Sequence, residues 1–419
     1  MLGRYCPLDN GKLTVMYRAQ MHGNEPAGGE GALAMIGWLD GSLGPTLLDK
    51  LNVCVIPRQN PDGGQDYKRT VMGDIDPNRD SLRLKTPEIQ EFTRICNLLD
   101  PYIIIDGHEY NAKEDAQILT TGELLLGLGY TVENTTEFAD LAHGIGDVVF
   151  EDMTANGFDY RYYTNQINSV NANVSRAYWS HRGTQFILLE TRGIGCGLAM
   201  YERRIAVHVV ATTAILRYAA ENVEQVRATI DAERDYLVQS GAVYSTDRIL
   251  SLETKDIDQP SRSHEGVKHD QLTGTGTPMS TTPKLTFNVA RSRPAPTAYV
   301  IPAGESYTET VLKLMDRHGI AYTFIPEGST ARLQQYTGTV EAASLTGEKS
   351  VRFEKGAYVF CCNQVTGGIL SLLMEPDVTD LAEQSGTLAQ QGYFTVTDGY
   401  FPIYRYIHDL NADGFIDYQ

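Results

Sequence analysis

Three strand-like runs in the first half of the chain each lead into a histidine or a glutamate, and that recurrence constrains the fold more than anything else in the sequence. Residues 12–20, "KLTVMYRAQ", alternate as a strand does, and "GALAMIGWL" from Gly31 has the apolar spacing of a helix. Between them lies the turn "MHGNEPAG", so His22 and Glu25 sit at a strand-to-helix junction. "YIII" is an apolar run bounded by turn residues and reads as a buried strand, with His108 of "DGHEY" expected just past its end. "FILL" repeats the pattern ahead of Glu190. Strands of this kind interleaved with helices predict an α/β fold with a mixed, mainly parallel sheet flanked by helices, and ligands gather outside the carboxyl ends of such strands.

The residue types suit metal-assisted hydrolysis. A spacing of three puts His22 and Glu25 on one side of a turn, where both reach one ion. Two imidazoles and a carboxylate bind Zn²⁺ and leave a coordination position open, and a separate carboxylate can then take a proton from water. An HxxE pair alone is weak evidence, since among 9 His a match arises easily by chance. A lone His is more often a surface-turn residue or a satisfied core residue, so the weight rests on the set.

Between the two ligand clusters runs "IPRQNPDGGQDYKRTVMGDIDPNRD", expected to be loop throughout because Pro, Gly, Asn and Asp cluster there. Long irregular loops in compact domains are usually functional or disordered. This one carries Arg58, Lys68, Arg69 and Arg79 in a chain of net charge −18. Arg offers a planar fork that fits a carboxylate or an oxyanion; the bland reading is a solvated charged loop.

At these residues the chain resembles the M14 zinc carboxypeptidases, the carboxypeptidase A-like metallopeptidases. The matching pieces are HGNE, "NPDG" at Asn60–Gly63, Arg69 with Asn78-Arg79-Asp80, "DGH" and "LLETRG", in family order over roughly residues 12–195. The resemblance implies one Zn²⁺ per chain held by His22, Glu25 and His108. It implies Glu190 as general base and later acid, and Arg69 as the group that polarises the scissile carbonyl. Asn78 and Arg79 would clamp the free C-terminal carboxylate of a peptide substrate. A substrate-binding Tyr is expected some twenty residues before Glu190. Tyr162 is taken for it, with Tyr160, Tyr163 and Tyr178 as alternatives. The stretch "NVSRAYWSHRGTQFILLE" is expected to build the side-chain pocket, where Arg176 would favour acidic residues unless it sits in a surface salt bridge. A related branch of N-acyl amino acid deacylases (aspartoacylase and succinylglutamate desuccinylase) shares the ligands, Asn-Arg and Glu. A catalytically silent binding module is the third reading. The intact ligand set with Glu190 argues against silence.

Composition adds exclusions. The charge of −18 argues against nucleic acid and anionic membranes, and no stretch approaches a membrane span. The opening "MLGRYCPLDNG" lacks the apolar run of a signal peptide. The resemblance implies a secreted or periplasmic enzyme with a further strand and helix before the HxxE strand, so the start is expected to be trimmed or mis-assigned. Six scattered cysteines define no disulfide framework, and Cys54 and Cys96 look like core thiols.

Beyond the site, "KTPEIQEFTRICNLLD" is a helix with Thr86 as cap and Pro87 at its first position. A long, broken helix is expected from near Met200 to near Val238. Residues 1–240 form the peptidase domain on this reading. Residues 241–285, rich in Ser, Thr, Gly, Asp and Pro, form a linker or mobile loop, and 286–419 a smaller C-terminal α/β domain of unknown role. Asp409, Asn411, Asp413 and Gly414 match the start of a Ca²⁺ loop, but its twelfth position falls beyond Gln419. An exposed polar tail is the favoured reading.

Overall fold

The computed structural model describes residues 10–111, 118–119, 122–163, 170–270, 275–379, 385–394 and 396–411, with the single positions 273, 381 and 416. Its first layer is a sheet of six strands: β1 (Leu13–Ala19), β2 (Leu51–Ile56), β3 (Ile103–Asn111), β5 (Leu124–Gly129), β6 (Tyr160–Tyr162) and β7 (Gln185–Ile194). A two-residue strand, β4 (Ile118–Leu119), lies outside it. The order is β2-β1-β3-β7-β5-β6, parallel throughout except between β7 and β5.

Side chains alternate across each strand, and the alternation divides the core. Val15, Tyr17, Ile103, Ile105, Ile187 and Leu189 face helices α1 (Pro26–Asp40), α5 (Thr136–Ala155) and α7 (Tyr201–Glu221). Met16, Ile104, Phe186 and Leu188 face the other way, toward α4 (Pro87–Leu99) and α6 (Ser175–Ser180). By the same period Arg18, Asp106, His108 and Glu190 all point to this second side. The register sets Arg18 beside Asp106 and His108 beside Glu190.

Several boundaries differ from expectation. β3 does not stop at "YIII" but runs through His108 to Asn111, because its polar residues find buried partners. The loop after β2 contains a short helix, α3 (Pro61–Asp66), and a 3₁₀ turn at Pro77–Arg79; a further short helix, α2 (Gly44–Leu47), precedes β2. Thr86 precedes α4 but does not cap it through its side chain. Its hydroxyl and N–H both donate to Asp80 instead. The long helix breaks at Asn222 into α7 and α8 (Val223–Ala242). Cys54 is disulfide-bonded, which corrects its reading as a core thiol, whereas Cys96 is free and buried as expected.

The stretch 241–285 is not a linker. It carries β8 (Ile249–Asp258), β9 (His264–Asp270) and β10 (Gly276–Thr281), and β11 (Lys284–Pro294) crosses the expected boundary. β8 pairs antiparallel with β11, and the β9–β10 hairpin pairs with β4. This arm lies along the six-stranded sheet and α5: Tyr130 donates to the Leu285 carbonyl and packs on Phe287, and Arg262 donates to Asp147.

The rest is one antiparallel sheet with two helices, α9 (Thr308–His318) and α10 (Gly367–Met374). Its strands are β12 (Ala298–Pro302), β13 (Thr323–Ile325), β14 (Thr330–Gly338), β15 (Ala343–Leu345), β16 (Lys349–Arg352), β17 (Ala357–Cys361) and β18 (Tyr400–Tyr406). They run β13-β17-β12-β18-β14-β15, with β16 on the other edge of β14. This unit shares one apolar core with the second face of the first sheet, from Phe92 and Leu188 to Tyr299, Val311 and Leu372. His318 seals the junction, its Nε2–H donating to the Leu82 carbonyl (3.0 Å) and its Nδ1 accepting from the Tyr178 hydroxyl (2.8 Å). Of the Ca²⁺-loop residues, Asp409 accepts from the Tyr244 N–H, and Asp413 and Gly414 lie outside the described residues. No helix among the described residues is long and apolar enough to cross a membrane.

Candidate metal centre

The turn between β1 and α1 is closed by the Glu25 N–H donating to the His22 carbonyl at 3.2 Å, which puts both side chains on the same side. It has no room to vary. A Cβ on Gly23 would stand 1.9 Å from the Gly63 carbonyl carbon, so this glycine lets the HGNE turn press against the NPDG segment. Pro26 then starts α1 at its first position.

His108 enters from β3, and three donors converge. His22 Nδ1 lies 2.8 Å from Glu25 Oε1, His108 Nδ1 lies 2.8 Å from Glu25 Oε2, and the two Nδ1 atoms are 3.1 Å apart. All three side chains are buried, and among the described residues they form the one group of three or more His, Cys, Asp or Glu able to hold a metal ion. The remaining ring nitrogens are tied to carboxylates: His22 Nε2 to Asp76 Oδ1 at 3.2 Å, and His108 Nε2 to Asp106 Oδ2 at 2.9 Å. Each carboxylate holds the ring proton on Nε2, assigned here from the bonding pattern, and so aims the Nδ1 lone pair at the common point. The residues fit a cation that takes nitrogen and oxygen.

Asp106 is itself fixed by a fully buried two-pronged pair with Arg18, Nε to Oδ1 at 2.8 Å and Nη2 to Oδ2 at 2.7 Å, beneath Phe92. Burial acts to raise the Asp106 pKa, but Arg18 and His108 outweigh it and hold the carboxyl well below its usual range. Glu25 is held low in the same way by His22 and His108, against the effect of burial. Burial pushes His108 down while Asp106 and Glu25 lift it, and the net is well above its ordinary value. Sequence reading missed Asp106, Arg18 and Asp76. The spacing D-x-H on a strand was the available signal, because period two puts Asp106 and His108 on one face. Nothing in the turn-rich "GDIDPNRD" set Asp76 apart from Asp74 or Asp80.

Asp106→Asn is expected to weaken metal binding tenfold to a hundredfold, read by competition with a chelator. It should also cost about 3 kcal/mol in unfolding experiments, because the buried Arg18 loses its counter-charge. Unchanged metal affinity would show that Asp106 does not orient His108.

Glu190 is partly covered beside His108. Burial is the largest influence on it and raises its pKa to about 7, with Glu25 adding to the rise and His108 opposing it. Arg69 spans the rim, donating to Asp76 Oδ2 at 3.0 Å and lying 3.5 Å from Glu25 Oε1. Asn78 is fixed through its Oδ1, which accepts the Ser175 N–H at 3.0 Å, so its amide hydrogens remain the directed donors. Arg79 donates to the Asn78 carbonyl at 2.8 Å. Arg176, from α6, is buried below Tyr163 with 5.5 Å between its guanidinium carbon and the ring centre, and does not lie at the surface.

The structure does not bring Tyr162 to this cluster. β6 turns its ring to the opposite side of the sheet, among Phe150 and His143, with its hydroxyl accepting from Arg262. Tyr160 stacks on Phe150, and Tyr178 is buried against His318. Tyr163 is the candidate that faces Arg176.

No protein-family model matches the chain. Its likeness to named proteins is nonetheless long. It is 25% identical over 437 residues to a Carboxypeptidase 2 from Trichophyton equinum, covering 94% of this chain and 76% of that one. A Carboxypeptidase 2 from Trichophyton rubrum is 26% identical over 440 residues, with 94% and 76% covered. Among solved structures, a metallo-carboxypeptidase from Burkholderia cenocepacia is 18% identical with a TM-score of 0.41, covering 51% of this chain and 58% of that one. That likeness is too loose to carry an argument. With the HGNE, NPDG, DGH and LLETRG pieces gathered at one end of the six-stranded sheet, and a likeness to Carboxypeptidase 2 proteins along nearly its whole length, the chain is a metallocarboxypeptidase that resembles the M14 enzymes.

Proposed function

We propose that the chain is a zinc exopeptidase that removes C-terminal residues from peptides, with His22, Glu25 and His108 holding the metal and Glu190 serving as general base. The observation that carries this is the pair of Nδ1 atoms facing Glu25, each imidazole backed by a carboxylate, with Glu190 set beside them at a pKa near 7. When bound there, zinc supplies Lewis-acid polarisation of carbonyl and water. Glu190 takes the proton of the attacking water and passes it to the leaving amine. A carboxyl that titrates near neutrality does both, because it neither holds nor refuses the proton strongly. Arg69, directed by Asp76, offers its guanidinium to the oxyanion as it forms. The Asn78 amide, fixed by the Ser175 N–H, and the neighbouring Arg79 receive the substrate's terminal carboxylate.

The test is a peptide pair differing only at the C-terminus, free acid against amide. The amide should lose about a hundredfold or more in kcat/KM, since Arg79 then faces no anion. Arg79→Ala should lower the free-acid rate and narrow the gap, whereas Arg69→Ala should depress kcat on both. Equal cleavage of acid and amide overturns the proposal. Short N-acyl amino acids outperforming longer peptides would move the assignment to a deacylase.

A further inference from the structure

We propose that a cavity between α8, β8 and the start of α10 is a second binding site, one for a free amino acid with an apolar side chain. The chemistry of the ligand is read from the cavity walls. That such a ligand is also the enzyme's product rests on the carboxypeptidase reading.

The cavity measures about 440 Å³, within the range of small-molecule sites, and it lies where such sites gather, between packed units. The metal-centre residues do not line it. Two side chains of opposite charge do, Glu133 and Arg248, and among the described residues no ion pair joins them. Glu133 Oε1 accepts the Ser251 N–H at 3.3 Å, while its buried Oε2 has no hydrogen-bond partner. His181 Nδ1 stands 3.8 Å from that oxygen, beyond hydrogen-bond reach. An ammonium in the cavity would supply the missing donor. Arg248 is fixed at the wall by its Nη1, which donates to the Pro296 carbonyl at 3.1 Å and leaves donors of the guanidinium to spare. The first turn of α10 opens onto the same space. A Cβ on Gly368 would stand 3.3 Å from His181 Nδ1, so the positive end of the helix and the Glu133 oxygen lie either side of one imidazole. The two charges of an α-amino acid are similarly close.

The mouth is apolar. Tyr236, Val243 and Ile249 are exposed there, and the half-buried Leu237 and buried Leu250 extend the wall. A polar floor under an apolar rim suits a charged head with an apolar side chain. A fatty acid would bring its carboxylate against Glu133, and an aliphatic amine would leave Arg248 unanswered. An α-amino acid answers both. The cavity also touches the machinery of the first site through α6. That helix ends at His181 in the cavity wall, and its first residue, Ser175, gives its N–H to Asn78. The released product thus has a seat beside the helix that holds the substrate clamp.

Calorimetric titration of the intact metal-loaded protein with L-leucine tests this. The clamp also takes carboxylates, so Arg79→Ala is made first to remove its contribution. Leucine should still bind the Arg79→Ala protein, with one equivalent per chain. N-acetyl-leucine lacks the ammonium, leucine amide lacks the carboxylate and glycine lacks the side chain. Each should bind at least tenfold more weakly, the scale of one lost charge-assisted hydrogen bond. Adding Glu133→Gln should weaken leucine at least tenfold and leave N-acetyl-leucine unchanged, a selectivity that general loosening of the fold would not produce. The ligand series decides even if the double variant fails to fold. Leucine binding lost with Arg79→Ala, or untouched by Glu133→Gln, overturns the proposal and leaves the exopeptidase reading intact. N-acetyl-leucine or glycine binding as tightly as leucine overturns it too. A chain that binds leucine in this way yet cleaves no peptide keeps the site and loses only its reading as a product site.

Discussion

Glu190→Gln should retain bound metal and lose turnover by at least 10²–10⁴-fold, the typical worth of general-base catalysis, and by more if water has no other proton acceptor. The geometry explains why the loss should fall on the rate and not on binding. Glu190 stands beside His108 in the β3–β7 register but outside the convergent trio, so the amide swap leaves every proposed ligand in place. A second readout needs no substrate. In the metal-free protein burial raises the Glu190 pKa from its usual value near 4.5 to about 7. A raised carboxyl pKa means the folded state favours the neutral form. Its stabilising contribution is therefore complete below the unfolded value and is lost as pH rises through about 7. Glu190→Gln removes that titration. Metal-free variant and wild type should be about equally stable near pH 4, and the variant more stable above pH 7, by at most about 3 kcal/mol and less because the group is partly exposed. A variant with a tenth of wild-type activity, or two parallel pH–stability curves, would remove Glu190 from the role.

What the sequence disclosed and what it concealed follow one physical distinction. Apolar runs announce themselves, so β1, α1, β3 and β7 were legible, and with them the junctions that deliver His22, Glu25, His108 and Glu190. Polar residues inside strands do not. "DGHEY" read as the end of a strand because Asp, His and Glu normally leave the core. Here they stay because Arg18 meets Asp106, Arg204 meets Glu109, and the Glu109 N–H meets Glu25. Those partners lie up to 95 positions away, and no local pattern encodes them. The arm failed for a related reason. β11 alternates between a partly covered side and a solvated side that carries Thr286, Asn288 and Ser292, while β8 is buried only at Leu250–Leu252 and continues as the polar run ETKDID, so both resemble loop composition. Tyr162 and Tyr163 show the sharpest limit. Neighbouring residues along an extended chain face opposite sides, so Tyr162 lies on the α5 side while Tyr163, one position on, lies on the Arg176 side.

Removing the metal should abolish activity, and returning one equivalent of zinc should restore it. The larger expected effect lies in His108→Ala, which is expected to lose tight binding altogether and not merely weaken it. Two consequences of one deletion combine. The trio drops to His22 and Glu25, and a two-ligand set no longer encloses the ion. Asp106 also loses the ring it orients, leaving a buried carboxylate satisfied by Arg18 alone. Elemental analysis after metal-free dialysis should give close to one zinc per chain for the wild type and almost none for His108→Ala. His22→Ala should behave alike, since Asp76 and Arg69 would close over the gap. Because metal binds the folded state, saturating zinc should raise the wild-type Tm in proportion to the logarithm of its concentration, and do nothing for His108→Ala. Full zinc occupancy in His108→Ala would mean that the ion sits elsewhere, and the assignment of all three ligands would fall with it.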